Sequence, residues 1–332
     1  MAVLVTRSVR PGGNLNDPTG MSSPKPEGVP RDPDRFEPVF LLATPRSYSS
    51  VITAMIGQHP EMVGFPELKL FAYATVGDLE GSLPEYWRRR GARHRSPGLV
   101  RAVAQFVFGG QEIASLNEAQ TWLRQRKHWS GADVLDFLLA FHSPRRGIEK
   151  SPENVESDEA LRRLSSAYPR AKYLHLTRHP VSTQKSLQDH LLRRFPGYTM
   201  AGQPMLGIAG WVATQQRILS FAASLSPDRY VRIKGEDILG SPRSALASIA
   251  AWLGLRADDD AITAMMRPEE SPFACEGPRG SGVTGGLDPE FLRNPGLRPV
   301  QPAPSLEPPA GWIDDARLWN CTVAIANELG YA

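Results

Sequence analysis

The chain has 332 residues, 41% of them hydrophobic, and a formal net charge of +3. That length suits one large α/β domain or two small ones with a sizeable core, and the small charge argues against a dominant electrostatic partner such as nucleic acid. No run of 18 apolar residues predicts a membrane span, and the two distant cysteines, Cys275 and Cys321, offer neither a disulfide framework nor a C-x-x-C pattern.

Residues 1 to about 35 are rich in Pro, Gly, Ser, Asn and Asp and predict a disordered arm. They include Arg7 and Arg10 but lack the apolar stretch of a secretory signal, so a reducing, cytoplasmic setting is expected. Residues 36–332 are read as a single domain. Val39 to Ala43 is continuously apolar, as in a strand buried on both faces of a parallel sheet. A helix from about Ser49 to Gln58 should follow, stopped by His59-Pro60. Residues 84 to 142 look mainly helical, with Ser96-Pro97 and Ser130 as helix starts. A short strand is expected at Gly147 to Lys150, a helix at Ser157 to Tyr168, a strand at Lys172 to Leu176 and a helix at Val181 to Arg194. Leu206 to Ser224 predicts a long helix and Arg229 to Ile233 a strand. Ser241-Pro242 opens a helix that stops near Gly254. Residues 271 to 311 are Gly- and Pro-rich and predict an irregular segment. A last helix runs from about Asp314 to Leu329. Strands alternating with helices predict an α/β fold, a three-layer α/β/α arrangement around a central parallel sheet.

Two segments stand out because each places cationic and hydroxyl groups at the exit of a buried strand. After the first strand come Thr44-Pro45-Arg46-Ser47-Tyr48-Ser49-Ser50. Helix-initial N–H groups, the serines and the Arg46 guanidinium together suit an anion. The G-x-x-x-x-G-K-[ST] pattern is absent, so this loop is not shaped to wrap a triphosphate. After the later strand come Thr177-Arg178-His179-Pro180, with Ser186 eight residues beyond the arginine. Either segment alone reads equally well as a capped turn. Together, in this order, they suit a nucleotide phosphorylated at two places.

The two segments resemble the signature motifs of sulfotransferases that use 3′-phosphoadenosine 5′-phosphosulfate (PAPS). Pro45 to Ser50 is similar to the P-[RK]-S-G-[ST]-[ST] loop that holds the 5′-phosphosulfate in that family. Arg178 with Ser186 matches the pair that holds the 3′-phosphate. Val231 to Leu239 is similar to the strand-to-loop R-x-E-D-L element, and Trp252-Leu253-Gly254 to the end of the following helix. The resemblance covers roughly residues 37 to 256 and implies the P-loop NTPase-like sulfotransferase fold, with PAPS as co-substrate and no metal. Two positions depart from the pattern. Tyr48 stands where glycine is usual, which implies a different turn or an aromatic wall beside the phosphosulfate. His179 stands where aspartate is common.

Sulfuryl transfer needs an in-line acceptor, a base, and cations for the leaving oxygen. By resemblance to protein-tyrosine and bacterial small-molecule sulfotransferases, Glu67 is the expected base, with Glu61 as the alternative and Lys69 near enough to tune it. Lys150 is expected at the sulfuryl group or bridging oxygen, and Arg46 at the departing bisphosphate. Arg279, in a flexible Gly-rich loop, is a candidate third contact to the 3′-phosphate. His59 reads as a helix terminator, His175 as a packed core residue, and the Arg88 to Arg95 run as a solvated face. The implied reaction transfers a sulfuryl group to a hydroxyl or amine of a small-molecule acceptor. Residues 71 to 142 and 271 to 311, with Phe71, Tyr73, Tyr86, Trp87, Trp122, Trp129 and Phe273, are expected to flank the acceptor, although most of these aromatics at helical spacing suit a core. An ATP-dependent small-molecule kinase and an inactive nucleotide-binding scaffold are the alternative readings. The oligomeric state is left open, a homodimer included.

Overall fold

Val39–Leu42 (β1) is four apolar residues, all buried. The computed structural model of the chain describes residues 37–89, 91–195, 206–300, 302, 304–308 and 315–331. The arm predicted for residues 1 to 35 lies outside them. After β1 the chain runs through helix α1 (Ser49–Gly57) into a short strand, β2 (Met62–Gly64). Helices α2 (Val76–Gly81), α3 (Glu85–Arg89), α4 (Pro97–Val107), α5 (Ile113–Gln125) and α6 (Gly131–Ala140) precede strand β3 (Arg146–Glu149). Helix α7 (Asp158–Ala167) leads to β4 (Lys172–Thr177), α8 (Pro180–Arg194) and α9 (Leu206–Ala222). Strand β5 (Tyr230–Lys234) is followed by α10 (Gly235–Gly240), α11 (Pro242–Leu253), α12 (Asp259–Met265), α13 (Pro289–Arg293) and α14 (Ala316–Glu328).

The strands pair in the order β2-β3-β1-β4-β5, every pair parallel. Alternate residues of β1 serve opposite faces of the sheet, as the two-residue strand period requires. Val39 and Leu41 pack with Ile52, Met55, Leu246 and Ile249. Phe40 and Leu42 pack with Leu99, Val103, Leu135 and Leu164. Helices therefore cover both faces, and the fold is the three-layer α/β/α arrangement expected from the sequence.

Helix starts follow local chemistry. The Ser96 hydroxyl accepts from Leu99 N–H at 3.2 Å, with Pro97 in the first turn. Ser130 and Asp133 form a reciprocal capping box, and Ser157 accepts from Ala160 N–H at 3.1 Å. Such caps stabilise a helix by about 1 kcal/mol each.

Several details differ from the sequence expectation. Strand β2 carries too few residues to show a period, and forms only because it pairs with β3. Strand β3 starts and stops one residue early, which leaves Lys150 just beyond the sheet. The segment expected to be irregular contains α13, whose first turn is capped by the Asp288 carboxylate accepting from Glu290 N–H at 2.9 Å. The final helix begins at Ala316, and Asp314 lies outside the described residues. No helix among the described residues is long and apolar enough to cross a membrane.

A parallel sheet sends all its carboxyl ends to one edge, where open α/β sheets bind ligands. Thr44, Lys150, Arg178 and Gly235 are placed there directly after, or within one residue of, β1, β3, β4 and β5.

Candidate active site

The loop after β1 turns through two non-glycine residues in the left-handed region, Arg46 at φ 69° and Tyr48 at φ 61°. That conformation costs an L-residue roughly 1–2 kcal/mol, so the surrounding contacts must hold it. They do so from both sides. Thr44 Oγ1 and Ser47 Oγ share a hydrogen bond at 2.6 Å, and the Tyr48 ring is wedged against Gly235. A Cβ on Gly235 would come within 2.7 Å of Tyr48 Cδ2. Tyr48 thus takes the left-handed turn that glycine usually supplies, and adds an aromatic face. Its position ends at the first turn of α1, whose leading N–H groups lack helical partners and carry partial positive charge.

The segment after β4 closes on this loop across 132 residues of sequence: Arg178 Nη1 donates to the Arg46 carbonyl at 2.6 Å. The Arg178 guanidinium lies 4.1 Å from the Tyr48 ring centre, and Trp211 Nε1 donates to the Arg178 carbonyl at 2.9 Å. Arg178 Nε is buried without a hydrogen-bond partner among the described residues. Arg46 Nε donates to Ser186 Oγ at 3.1 Å, and Arg46 Nη1 pairs with Asp288 at 2.7 Å. Burial works against the Asp288 charge, but Arg46 and the Glu290 N–H outweigh it and hold its carboxyl below the usual range. Asp288 N–H also donates to Ser50 Oγ at 3.0 Å.

Two cavities meet at Arg46. The first, about 320 Å³, is lined by Arg46, Tyr48, Ser50, Arg178, Ser182 and Ser186, with Arg193, Asn294 and Arg298 at its rim. The second, about 200 Å³, is lined by Pro45 through Ser50, Glu67, Lys150, His190 and Leu287. Arg46, Tyr48, Ser50 and Asp288 border both.

In the second cavity Lys150 Nζ lies 2.5 Å from Glu67 Oε1, the lysine side chain 4% exposed and the glutamate 19%. The Glu67 backbone is clamped on both sides. Its N–H donates to Gly286 O at 2.8 Å, and its carbonyl accepts from Ser96 Oγ at 2.9 Å. A Cβ at Gly98 would approach the same carbonyl to 2.3 Å, so α4 reaches Glu67 only because residue 98 has no side chain. Beneath, Glu149 is fully buried. It accepts from Leu68 N–H at 3.2 Å, from Asn154 Nδ2 at 2.7 Å and from Ser151 Oγ. Burial pushes its carboxyl up to about 7 against those hydrogen bonds and Lys150.

Arg46, Ser47, Tyr48, Ser49, Ser50, Arg178, Ser186, Glu67 and Lys150, all singled out from sequence, are therefore brought together at one sheet edge. Arg279 is not; it is exposed and lines neither cavity, whereas Arg193 and Arg298 line the first. Lys69 turns away from Glu67, pairing with Glu153 at 2.5 Å. Glu61 accepts from Arg256 N–H at 3.1 Å, outside both cavities. His59 closes its turn by bonding Arg256 O at 2.8 Å. His175 is buried between Tyr230 and Gln215, and burial pushes it down to about 3. Phe71, Trp122, Trp129 and Phe273 belong to the core, with half-buried Tyr73 packed against it. Tyr86 is exposed, and the Trp87 side chain lies outside the described residues. Arg88 and Arg89 pair with Glu85 on the surface.

Sequence reasoning missed His190 and Asp288. His190 follows Ser182 and Ser186 at the four-residue stride that keeps side chains on one helix face, a signal readable from the sequence. Asp288 sits in a segment with no periodicity, and nothing local marks it.

Residues 38–259 match the Sulfotransferase family, and the chain belongs to that family. It is similar to the sulfotransferase domain from the Synechococcus PCC 7002 olefin synthase, at 27% identity and a TM-score of 0.66, covering 90% of this chain and 98% of that one. It is also similar in fold to the sulfotransferase domain from the curacin biosynthetic pathway, at 20% identity and a TM-score of 0.66, covering 90% and 99%. No curated protein sequence matches the chain.

Proposed function

We propose that the protein transfers a sulfuryl group from PAPS to a hydroxyl of a small-molecule acceptor, with Glu67 as base. The observation that carries this reading is the junction of the two anion segments. Arg46 and Arg178 border one cavity, joined by the 2.6 Å bond from Arg178 to the Arg46 carbonyl. A donor with phosphate at both the 3′ and 5′ positions uses both ends of such a cavity. The residues fit it: the buried Arg178 Nε lacks a partner among the described residues, Ser182 and Ser186 line the same cavity, and the α1 N-terminus faces the second cavity through Ser49 and Ser50.

When bound, the donor supplies a sulfuryl group on a good leaving group. Arg178, Ser182 and Ser186 hold the 3′ end, with Arg193 and Arg298 at the rim. Arg46 and the loop N–H groups hold the 5′ end and stabilise charge on its leaving oxygen. Lys150 stands across the second cavity from the loop and offers its ammonium to the sulfuryl oxygens. Glu67 receives the acceptor proton, and its contact with Lys150 keeps both groups oriented. Glu149 holds the Leu68 N–H and the Ser151 hydroxyl, and so fixes the approach of Glu67 from behind. An acceptor hydroxyl is favoured over an amine because Glu67 is already matched to one ammonium. The related olefin synthase domain comes from a biosynthetic system named for an olefin, which supports an apolar biosynthetic intermediate as the acceptor. Two free cysteines, both exposed, support a reducing, cytoplasmic setting.

Isothermal titration with adenosine 3′,5′-bisphosphate tests the donor. Binding without Mg²⁺ is expected; binding of ATP that needs Mg²⁺, with no bisphosphate binding, would point to a kinase. Incubation with PAPS and a panel of aliphatic alcohols should give products heavier by the SO₃ mass, lost in Glu67→Gln.

A further inference from the structure

His190 occupies a place that the donor reading leaves without a task. It lies on the third turn of α8, one stride beyond Ser186, and lines the second cavity beside the 45–50 loop, Glu67 and Lys150. Ser186 bonds the Arg46 guanidinium at 3.1 Å, so the next residue on that face stands beside the same arginine. The helix thus sends Ser182 and Ser186 into the first cavity and His190 into the second.

We propose that His190 is a contact to the sulfuryl end of the donor, presenting an imidazole N–H to the anion held by Arg46 and taking up a proton as that anion binds. The proposal rests on the PAPS reading. The charged groups around His190 come from three directions. Arg46 faces it from the loop, Asp288 from the strap before α13, and Arg193 and Arg194 from its own helix. Across the cavity stand Glu67 and Lys150, already paired with each other. Burial first, then Arg46, pushes His190 below the ordinary histidine range, which favours the neutral ring in the free protein. An arriving 5′-phosphate or phosphosulfate brings the opposite charge to Arg46 and His190 together. It therefore favours the imidazolium, and by linkage favours tighter binding at lower pH.

The test compares wild type with His190→Gln by isothermal titration from pH 8 to pH 6, in buffers of differing ionisation heat. For adenosine 3′,5′-bisphosphate, wild type should tighten about 10-fold more than the variant across that range and take up most of one additional proton. With adenosine 3′-phosphate, which lacks the 5′ group, the difference should vanish. Imidazole resonances of the wild type, followed with and without bisphosphate, give the same answer without relying on a variant that folds; one histidine should titrate higher in the complex. Equal pH dependence in wild type and variant overturns the proposal, as does a difference that persists with adenosine 3′-phosphate. Failure of wild type to bind bisphosphate at any pH overturns the donor reading itself.

Discussion

The Arg178 guanidinium carbon sits over the Tyr48 ring, 4.1 Å from its centre. One residue opens the helix after β1, the other leaves β4, and Gly235 after β5 backs the ring from below. Three strand exits are thereby keyed to one side chain. The ring screens one side of Arg178 from water and leaves its edge toward the cavity, which is the side an anion can use.

Replacing that ring separates two effects. Tyr48→Gly removes left-handed strain of about 1 kcal/mol and removes the cation–π contact, worth about 0.5–2 kcal/mol. Thermal stability should change little, while bisphosphate binding weakens roughly 3- to 30-fold by titration calorimetry. Tyr48→Phe should bind within about threefold of wild type, because the face is kept.

Gly235→Ala tests the same contact from beneath. The new Cβ, 2.7 Å from Tyr48 Cδ2, must push the ring off Arg178. Binding should weaken as in Tyr48→Gly, and the double variant should be no weaker than Tyr48→Gly alone. Additive losses would mean that Gly235 acts through something other than the ring.

Glu67→Gln should lower product formation by about 10²- to 10⁴-fold, the usual range for a lost general base. Bisphosphate affinity should stay within a few-fold, since Glu67 lines the second cavity and not the first, where Arg178 and Ser186 lie. Lys150→Met should lower both product formation and thermal stability, because Lys150 is almost fully buried on its carboxylate partner.

Glu149 gives a pH signature in stability. Its folded carboxyl titrates near 7, above its ordinary value, so the folded state binds the proton more tightly than the unfolded one. Relative stability is therefore complete below the unfolded value of about 4.5 and is lost as pH rises through 7, by up to about 3 kcal/mol. Glu149→Gln should abolish that slope. Asn154 can turn its Oδ1, which lacks a partner among the described residues, toward the new amide. His175 works in the opposite sense. Burial holds it down to about 3, so its contribution is present above pH 6.5 and is lost as pH falls. Thermal midpoints of wild type and Glu149→Gln across pH 4.5–8 read the difference directly.

What could be read in advance divides along physical lines. Strands β1 and β4 are buried on both faces, so their composition alone marked them. Arg46, Arg178 and Ser186 stood out because anion binding at a strand exit demands specific residue types at specific spacing. Strand β2 could not be seen, since three residues carry no period and pairing with β3 alone makes them a strand. Asp288 reaches Ser50 across 238 positions, and no local pattern encodes such a meeting. The basic loop around Arg279 attracted attention by its glycines, yet within that irregular segment it is Arg298, in an unremarkable Pro- and Leu-rich stretch, that borders the first cavity. His190 was legible in principle and was hidden only by lying one helical turn past the motif.

The Arg46–Asp288 pair occupies the loop arginine before any ligand arrives. A carboxylate tethered to the chain already neutralises the loop arginine at 2.7 Å, and it competes at the high effective concentration of an intramolecular group. Inorganic phosphate or a nucleotide with a single anionic end must displace it for one contact. A molecule anchored simultaneously at Arg178 displaces it from an already bound state. On the proposed donor reading, the internal carboxylate therefore acts as a threshold that weakens ligands with one anionic end more than a ligand charged at both ends.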